Sequence, residues 1–238
     1  MEFNFTPTTL FCGMGSHARS VFHYLEKIPL QKIYIIYAKK NTPKFSSIIK
    51  DIKRELKKKQ ENLDYKAKIN YITVSKKEFL KMYRIIIRLM LQERTSHIIT
   101  DITAGHKIIS YAVFYAHSYA KRHFQNKSKI IYLPRDGENP IQIPEIEIQK
   151  LDNRKEDLLY FTYLYQNQRT KLRTKKELEE ERQTKSKGKT LISFLNDKFS
   201  ESSCYRYRKD LRDLGYLNKK DHLTIRGKMY VYSILGEI

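Results

Sequence analysis

Over the first 150 residues, short apolar runs rich in β-branched side chains alternate with longer stretches whose apolar positions recur every three or four residues. TTLFC (8–12), KIYIIYA (32–38), INYITV (69–74), HIITDI (97–102) and KIIYLP (129–134) have the length and composition of strands. IQIPEIEIQ (141–149) alternates as a sixth, and Pro144, which lacks a ladder donor, marks it as an edge. The intervening segments predict helices over 16–27, from Pro43 to about Asn62, over 76–94 and over 106–123. In the third, Phe79, Met82, Ile86, Leu89 and Met90 fall at helical spacing; in the fourth, Ile108, Ile109, Ala112, Val113, Ala116 and Ala120 share a face. Strands alternating with helices mean βαβ units and a mainly parallel sheet covered on both faces. Right-handed crossovers and the commonest doubly wound strand order then put the first and fourth strands side by side.

The pattern changes near residue 150. After a polar junction, KLDNRKED (150–157), DLLYFTYLYQ (157–166) reads as an amphipathic helix. Residues 169–189 are strongly charged, with Lys175–Glu179 and Lys176–Glu180 spaced to pair along a helix. TLISFLNDKF (190–199) predicts a short helix with Leu191, Phe194 and Leu195 inward. The next helix, in SSCYRYRKDLRDLGYL, turns Cys204, Tyr207, Leu211 and Leu214 to one face and ends at Gly215. LNKKDHLTI (217–225) predicts a basic-tipped hairpin and RGKMYVYSIL (226–235) a closing helix. Helix, turn, helix, hairpin and helix form a winged helix-turn-helix pattern. The expected division is therefore a Rossmann-like domain of six strands over 1–150, a helical, charged linker over 151–189 and a winged helix-turn-helix over 190–238.

Two loops carry candidate chemistry. In doubly wound sheets a ligand lies beyond the carboxyl ends of the strands, where strand order reverses. The loops there are CGMGSHA (12–18) and ITAGHK (102–107). Both are small and both open helices, whose free N–H groups and positive dipole favour anions. Gly13, Gly15 and Gly105 would let a ligand approach the backbone, and Lys107 adds a mobile positive charge. The same glycines also suit plain tight turns, and His17 and His106 suit caps. Residues 13–18 further fit the dinucleotide pattern G-x-G-x-x-A, but the second strand ends in Tyr37-Ala38-Lys39-Lys40 with no acid for a ribose. The two lysines leave an NADP site open, although no catalytic pair for hydride transfer follows. A phosphate-binding loop of the G-x-x-x-x-G-K-[ST] type is absent from the sequence.

Charge sharpens the picture. The 238 residues carry a formal net charge of +21. Residues 1–150 contribute +14 and residues 151–238 the remaining +7. Such an excess predicts polyanionic partners, and its weight at the front favours an anionic ligand for the first domain besides DNA for the second. Cys12 and Cys204 stand too far apart in sequence to suggest a disulfide framework or a zinc site. No apolar run approaches a membrane span, and the first thirty residues lack a signal-peptide layout, so the expectation is a cytoplasmic protein with no metal and no cofactor.

Asp101-Ile102-Thr103-Ala104-Gly105-His106-Lys107, a D-x-T-x-G-x-K stretch opening the helix after the fourth strand, resembles the CRISPR-associated Rossmann-fold (CARF) regulators. With the winged helix behind it, the chain is similar to the archaeal transcription regulators of that group. The first loop, Gly13-Met14-Gly15-Ser16, matches the family's other ligand loop loosely. The resemblance implies an antiviral regulator: a homodimer that holds a cyclic oligoadenylate, cyclic tetra-adenylate foremost, across its axis and binds double-stranded DNA. Backbone N–H groups of Gly13, Met14, Gly15 and Ser16, with His17 nearby, and of Thr103, Ala104 and Gly105 would hold phosphate and ribose. Lys107 would neutralise phosphate, and Thr103 or His106 would bond sugar or base. On the second helix of the winged domain, Ser202, Ser203, Tyr205, Arg206 and Lys209, flanked by Arg208 and Arg212, would face DNA. Lys219, Lys220 and His222 would do so from the wing. An enzymatic alternative stays open, since relatives of the first domain cleave their own cyclic ligand; Lys107 and Ser16 would then be catalytic, with His106 able to position the attacking hydroxyl.

Overall fold

The computed structural model describes residues 7–15, 19–38, 43–63, 67–134, 139–171 and 191–235. The chain forms two compact units, Met1–Ile148 and Gln149–Leu235.

The first unit is a six-stranded sheet of order β3-β2-β1-β4-β5-β6. β1 (Thr8–Gly13), β2 (Lys32–Ala38), β3 (Lys68–Val74), β4 (His97–Asp101) and β5 (Ser128–Tyr132) run parallel, and β6 (Ile141–Ile143) is antiparallel to β5. Four helices make the crossovers: α1 (Arg19–Lys27), α2 (Pro43–Leu63), α3 (Phe79–Gln92) and α4 (Lys107–Ala120). β1 is buried at every position, as a central strand covered on both faces requires. Leu10 and Cys12 belong to a cluster with Val21, Tyr24 and Leu25 of α1 and Ile52 and Leu56 of α2. Phe11, one residue out of phase, stacks its ring on Tyr34 at 4.6 Å. Each fully buried Leu or Ile contributes about 1.5–3 kcal/mol. β6 is shorter than its alternating pattern predicts, because Pro144 ends the ladder after three residues.

β1 and β4 are neighbours, with Cys12 opposite Asp101. Their carboxyl ends therefore deliver residues 13–15 and 102–106 to one rim of the sheet.

α4 is fixed to the sheet by a buried polar link. His117, with no exposed surface, lies 2.7 Å from the Thr100 hydroxyl through Nδ1 and 3.2 Å from Glu145 through Nε2. Burial, and then the Lys121 ammonium, push this imidazole down to about 3, so it is neutral near pH 7. A carboxylate can only accept, so Nε2 carries the proton and Thr100 donates to Nδ1. Lys121 also donates to Glu145.

In the second unit, α5 (Asn153–Lys171) packs with α6 (Leu191–Asn196), α7 (Glu201–Asp213) and α8 (Ile225–Leu235). Part of the stretch expected to be linker is thus core: Leu158, Leu159 and Thr162 of α5 are fully buried, and Phe161 meets Phe194 and Phe199 edge-on. The charged run from 172 to 190 lies outside the described residues.

Local rules set the ends of α7. Ser200 caps its start, the side chain accepting from Ser203 N–H. Gly215, at φ +74°, closes it: Tyr216 N–H bonds Leu211 O (2.8 Å) and Gly215 N–H bonds Arg212 O (2.9 Å), the two bonds of a Schellman end. The predicted hairpin reduces to one antiparallel bridge, Leu217 to Leu223. Its tip is held by Asn218, whose side-chain oxygen accepts from the N–H groups of Lys220 and His222. Thr224 then caps α8, accepting from Gly227 N–H at 3.1 Å.

Candidate functional site

The two glycine loops meet. A Cβ on Gly15 would lie 3.1 Å from Gly105 N, and one on Gly105 would lie 3.3 Å from Gly13 Cα and from Met14 N. Gly105 has φ +106°, which favours glycine on backbone grounds as well. The contact changes the reason for the glycines. Gly13 and Met14 are buried beneath the joined loops, so they hold the rim together rather than offer it to a ligand. The faces that a G-x-G-x-x-A turn would leave open to a pyrophosphate are covered by 104–105. Ser16 and His17, like Lys39 and Lys40, lie outside the described residues.

The 102–106 loop is tied down from three sides. Thr103 N–H donates to Asp101 Oδ1 at 2.7 Å. Leu133 N–H donates to Thr103 Oγ1 at 2.6 Å, and Ile102 N–H to Ile131 O at 3.0 Å. Ser110 Oγ donates to Ala104 O at 3.4 Å. The Thr103 oxygen is thus occupied by the strand-end amide. Asp101 is fully buried under the loop. Desolvation raises its pKa, and hydrogen bonding from Thr103 and the charge of His23 oppose the rise. The Cys12 thiol is pushed up by burial and then by the Asp101 charge, so it is no nucleophile.

Beyond the rim opens a crevice of about 480 Å³. Ile102, Thr103, Gly105 and Lys107 form its loop side, and Tyr111, Phe114, Tyr115 and Tyr132, with Ser110, form the rest. His106 and Lys107 are exposed at the first turn of α4, where His106 is the cap and makes no side-chain cap bond. Tyr111 is 59% exposed, unusual for so large a ring on a sheet-packed helix. None of these four aromatics was singled out from the sequence as a site residue, although Lys107, Tyr111, Phe114 and Tyr115 follow helical spacing. The arrangement can take a ligand with both phosphate and flat apolar rings: an ammonium and a helix start at one end, stacking surfaces along the wall.

The second unit has its own candidate surface. Ser202, Tyr205, Arg206 and Lys209 form an exposed stripe along α7, with Tyr205 62% exposed. Ser203 is half-buried. Lys219, Lys220 and His222 are exposed at the bridge tip. Arg208 and Arg212 depart from expectation. Arg208 pairs with Asp221 at 3.0 Å, and Arg212 approaches it at 3.5 Å. Asp221 is buried at φ +57°, a left-handed conformation that Asp tolerates better than most. These arginines clamp the bridge to α7 instead of reaching outward. Among the described residues, no group of three His, Cys, Asp or Glu side chains could hold a metal ion, and no helix is long and apolar enough to cross a membrane.

No protein-family model and no curated protein matches the sequence. Among solved structures, the chain is similar to Can2 from Sulfobacillus thermosulfidooxidans in complex with cyclic tetra-adenylate: 14% identity over 94% of this chain and 63% of that one, TM-score 0.42. It is similar also to Csm6 from Enterococcus italicus bound to cyclic hexa-2'-fluoro-hexa-dAMP: 10% identity over 88% of this chain and 55% of that one, TM-score 0.42. This chain thus spans less than two thirds of the length of either, and likeness at this level carries no function across.

Proposed function

We propose that the protein is a ligand-responsive, DNA-binding transcription regulator of a CRISPR system whose first unit senses a cyclic oligoadenylate, cyclic tetra-adenylate foremost. The observation that carries the reading is the backbone contact of the Gly13–Gly15 and Gly105 loops beside a crevice lined by Lys107 and four aromatic rings. A cyclic oligoadenylate offers phosphates for the ammonium and the α4 amides and bases for the rings. The Asp101–Lys107 resemblance points to the same ligand class. A two-fold axis suits such a ring, since the same loops from two chains would hold opposite phosphates, which makes a homodimer part of the proposal. The second unit reads as a winged helix-turn-helix, with α7 for the major groove and the Lys219–Lys220–His222 tip for the backbone. Ligand binding would shift the spacing of two such units and so change operator affinity, a coupling typically of about 1–3 kcal/mol.

Calorimetry of the full chain against cyclic tri-, tetra- and hexa-adenylate tests the sensing step; the expected result is one ring per two chains with a clear preference for one ring size. Titrating promoter DNA with and without that ring tests the coupling, and identical isotherms would remove it. Incubating protein with the ring and looking for linear products separates sensor from ring nuclease.

A further inference from the structure

At the other end of β4 and β5, roughly 15 Å of strand away from the crevice, lies a second hollow of about 520 Å³. His97 opens β4 there, Lys127 and Lys129 flank the start of β5, and Lys121 and Phe124 follow α4. The hollow has no carboxylate among its lining residues. Some lysines elsewhere in the fold are paired, Lys32 with Glu93 at 2.8 Å and Lys155 with Asp210 at 2.9 Å. Lys121 itself is held by Glu145. Lys127 and Lys129 have no ion-pair partner among the described residues, although the strands hold them close together. Their field is felt at the site: after burial, the charges of Lys129 and Lys127 are what hold the His97 imidazole below its ordinary range. Asn126 and Ser128 add hydrogen-bonding groups, and the Phe124 ring supplies an apolar wall.

Two like charges kept together over a concave surface, with neutral donors beside them and no acid to offset them, suit a compact ligand of several negative charges. We propose that this hollow binds a polyphosphate, either free or as the phosphate chain of a nucleoside triphosphate. The site is independent of the crevice at the glycine loops and stands whether or not that crevice takes a cyclic oligoadenylate.

The test is calorimetry of the full chain with inorganic tripolyphosphate and with ATP at fixed ionic strength. Binding is expected for both. Equal affinities assign the site to the phosphate chain alone, and tighter binding of ATP that K127Q/K129Q removes and K107A keeps assigns it to a nucleotide with its base against Phe124. The double variant K127Q/K129Q should weaken binding by about tenfold or more, since charge-assisted contacts are lost, while its thermal unfolding matches the wild type. K107A, in the crevice, should keep the tripolyphosphate binding that K127Q/K129Q removes. K50Q/K77Q, two exposed lysines on the far side of the sheet, should change it less than about twofold, as expected of screened surface charges. The proposal is overturned by no binding of either probe, by undiminished binding in K127Q/K129Q, by an equal loss in K50Q/K77Q, or by loss of all tripolyphosphate binding in K107A. It is overturned too if K127Q/K129Q weakens duplex DNA binding and leaves tripolyphosphate untouched. The crevice reading is tested separately with the cyclic ligands.

Discussion

A Cβ placed on Gly13 would sit 2.4 Å from the carbonyl oxygen of Ala104. The obstacle is backbone, held by the hydrogen bonds of Thr103 and Ser110, so it cannot swing aside as a side chain would. Gly13→Ala should therefore destabilise the first unit by about 1–3 kcal/mol, the usual cost of overpacking. Gly105→Ala meets the adjoining residues at 3.3 Å and must also adopt φ +106°, a conformation that L side chains rarely adopt. Both should lower the urea midpoint at unchanged m-value. A wild-type midpoint in Gly13→Ala would mean that the loops are not closed together in solution.

Lys107 stands apart from that contact. It is exposed at the start of α4, so Lys107→Ala should leave the urea midpoint where it was. Ligand affinity should fall by about ten- to a hundredfold, the loss of one charge-assisted contact of about 1.5–3 kcal/mol. Tyr111→Ala should cost a similar amount if a base stacks there, on the scale of about 1–3 kcal/mol per stacked base. Tyr111→Phe should retain affinity, because the ring and not the hydroxyl is the stacking surface. Calorimetry with the preferred cyclic oligoadenylate reads all three, and a Tyr111→Ala variant that binds normally would show the aromatic wall to be idle.

Alternation of strand and helix was enough to read the sheet, and chirality rules were enough to put β1 beside β4, because both follow from backbone geometry common to all chains. The meeting of Gly13 with Gly105 follows from that adjacency. The aromatic wall was not legible in the same way. Periodicity shows that Ala112, Val113 and Ala116 face the core, but a ring at Tyr111 or Tyr115 on the opposite flank looks like an ordinary surface residue until Tyr132 arrives beside it from β5. Arg208 and Arg212 failed for a related reason. Helical spacing puts them at the edge of the exposed face, and only the fold of the bridge carries Asp221 back to meet them. Polar pairing across a turn is a tertiary fact, and a helical wheel does not contain it.

His117 makes the first unit sensitive to acid. The folded-state imidazole is held at about 3, while an unfolded histidine titrates near 6.5. The stability it confers as a neutral link is therefore complete above pH 6.5, and it is lost as pH falls from there towards the folded-state value, by up to about 1.4 kcal/mol per pH unit. His117→Gln should cost stability at pH 8, by breaking the link to Thr100 and Glu145, yet show a shallower decline between pH 6.5 and 4.5. His97 is depressed as well, but it is present in both proteins, so the difference between the two curves isolates His117. Urea unfolding at four or five pH values checks it; parallel curves would mean that the ring is not buried neutral.

The arginines of α7 allow the DNA reading to be separated from the structural one within a single helix. Arg206 and Lys209 are exposed, and Arg208 is mostly buried against Asp221. Arg206→Ala and Lys209→Ala should leave the unfolding midpoint unchanged and weaken DNA binding, each reducing the salt slope by about one if its contact is to phosphate. An Arg206 that reads a base would instead relax sequence preference at one position and leave the slope alone. Arg208→Ala should act the other way round. It leaves the buried Asp221 carboxylate with the more distant Arg212 only, so stability should fall by about 1–3 kcal/mol. Asp221→Asn keeps the side chain that tolerates φ +57° but removes the charge, and should fall between Arg208→Ala and wild type. Fluorescence anisotropy at several salt concentrations, run beside urea unfolding on the same four variants, gives both axes. If Arg206→Ala and Lys209→Ala bind DNA as the wild type does, the exposed stripe of α7 faces something other than the duplex, and the DNA half of the proposed function falls with it.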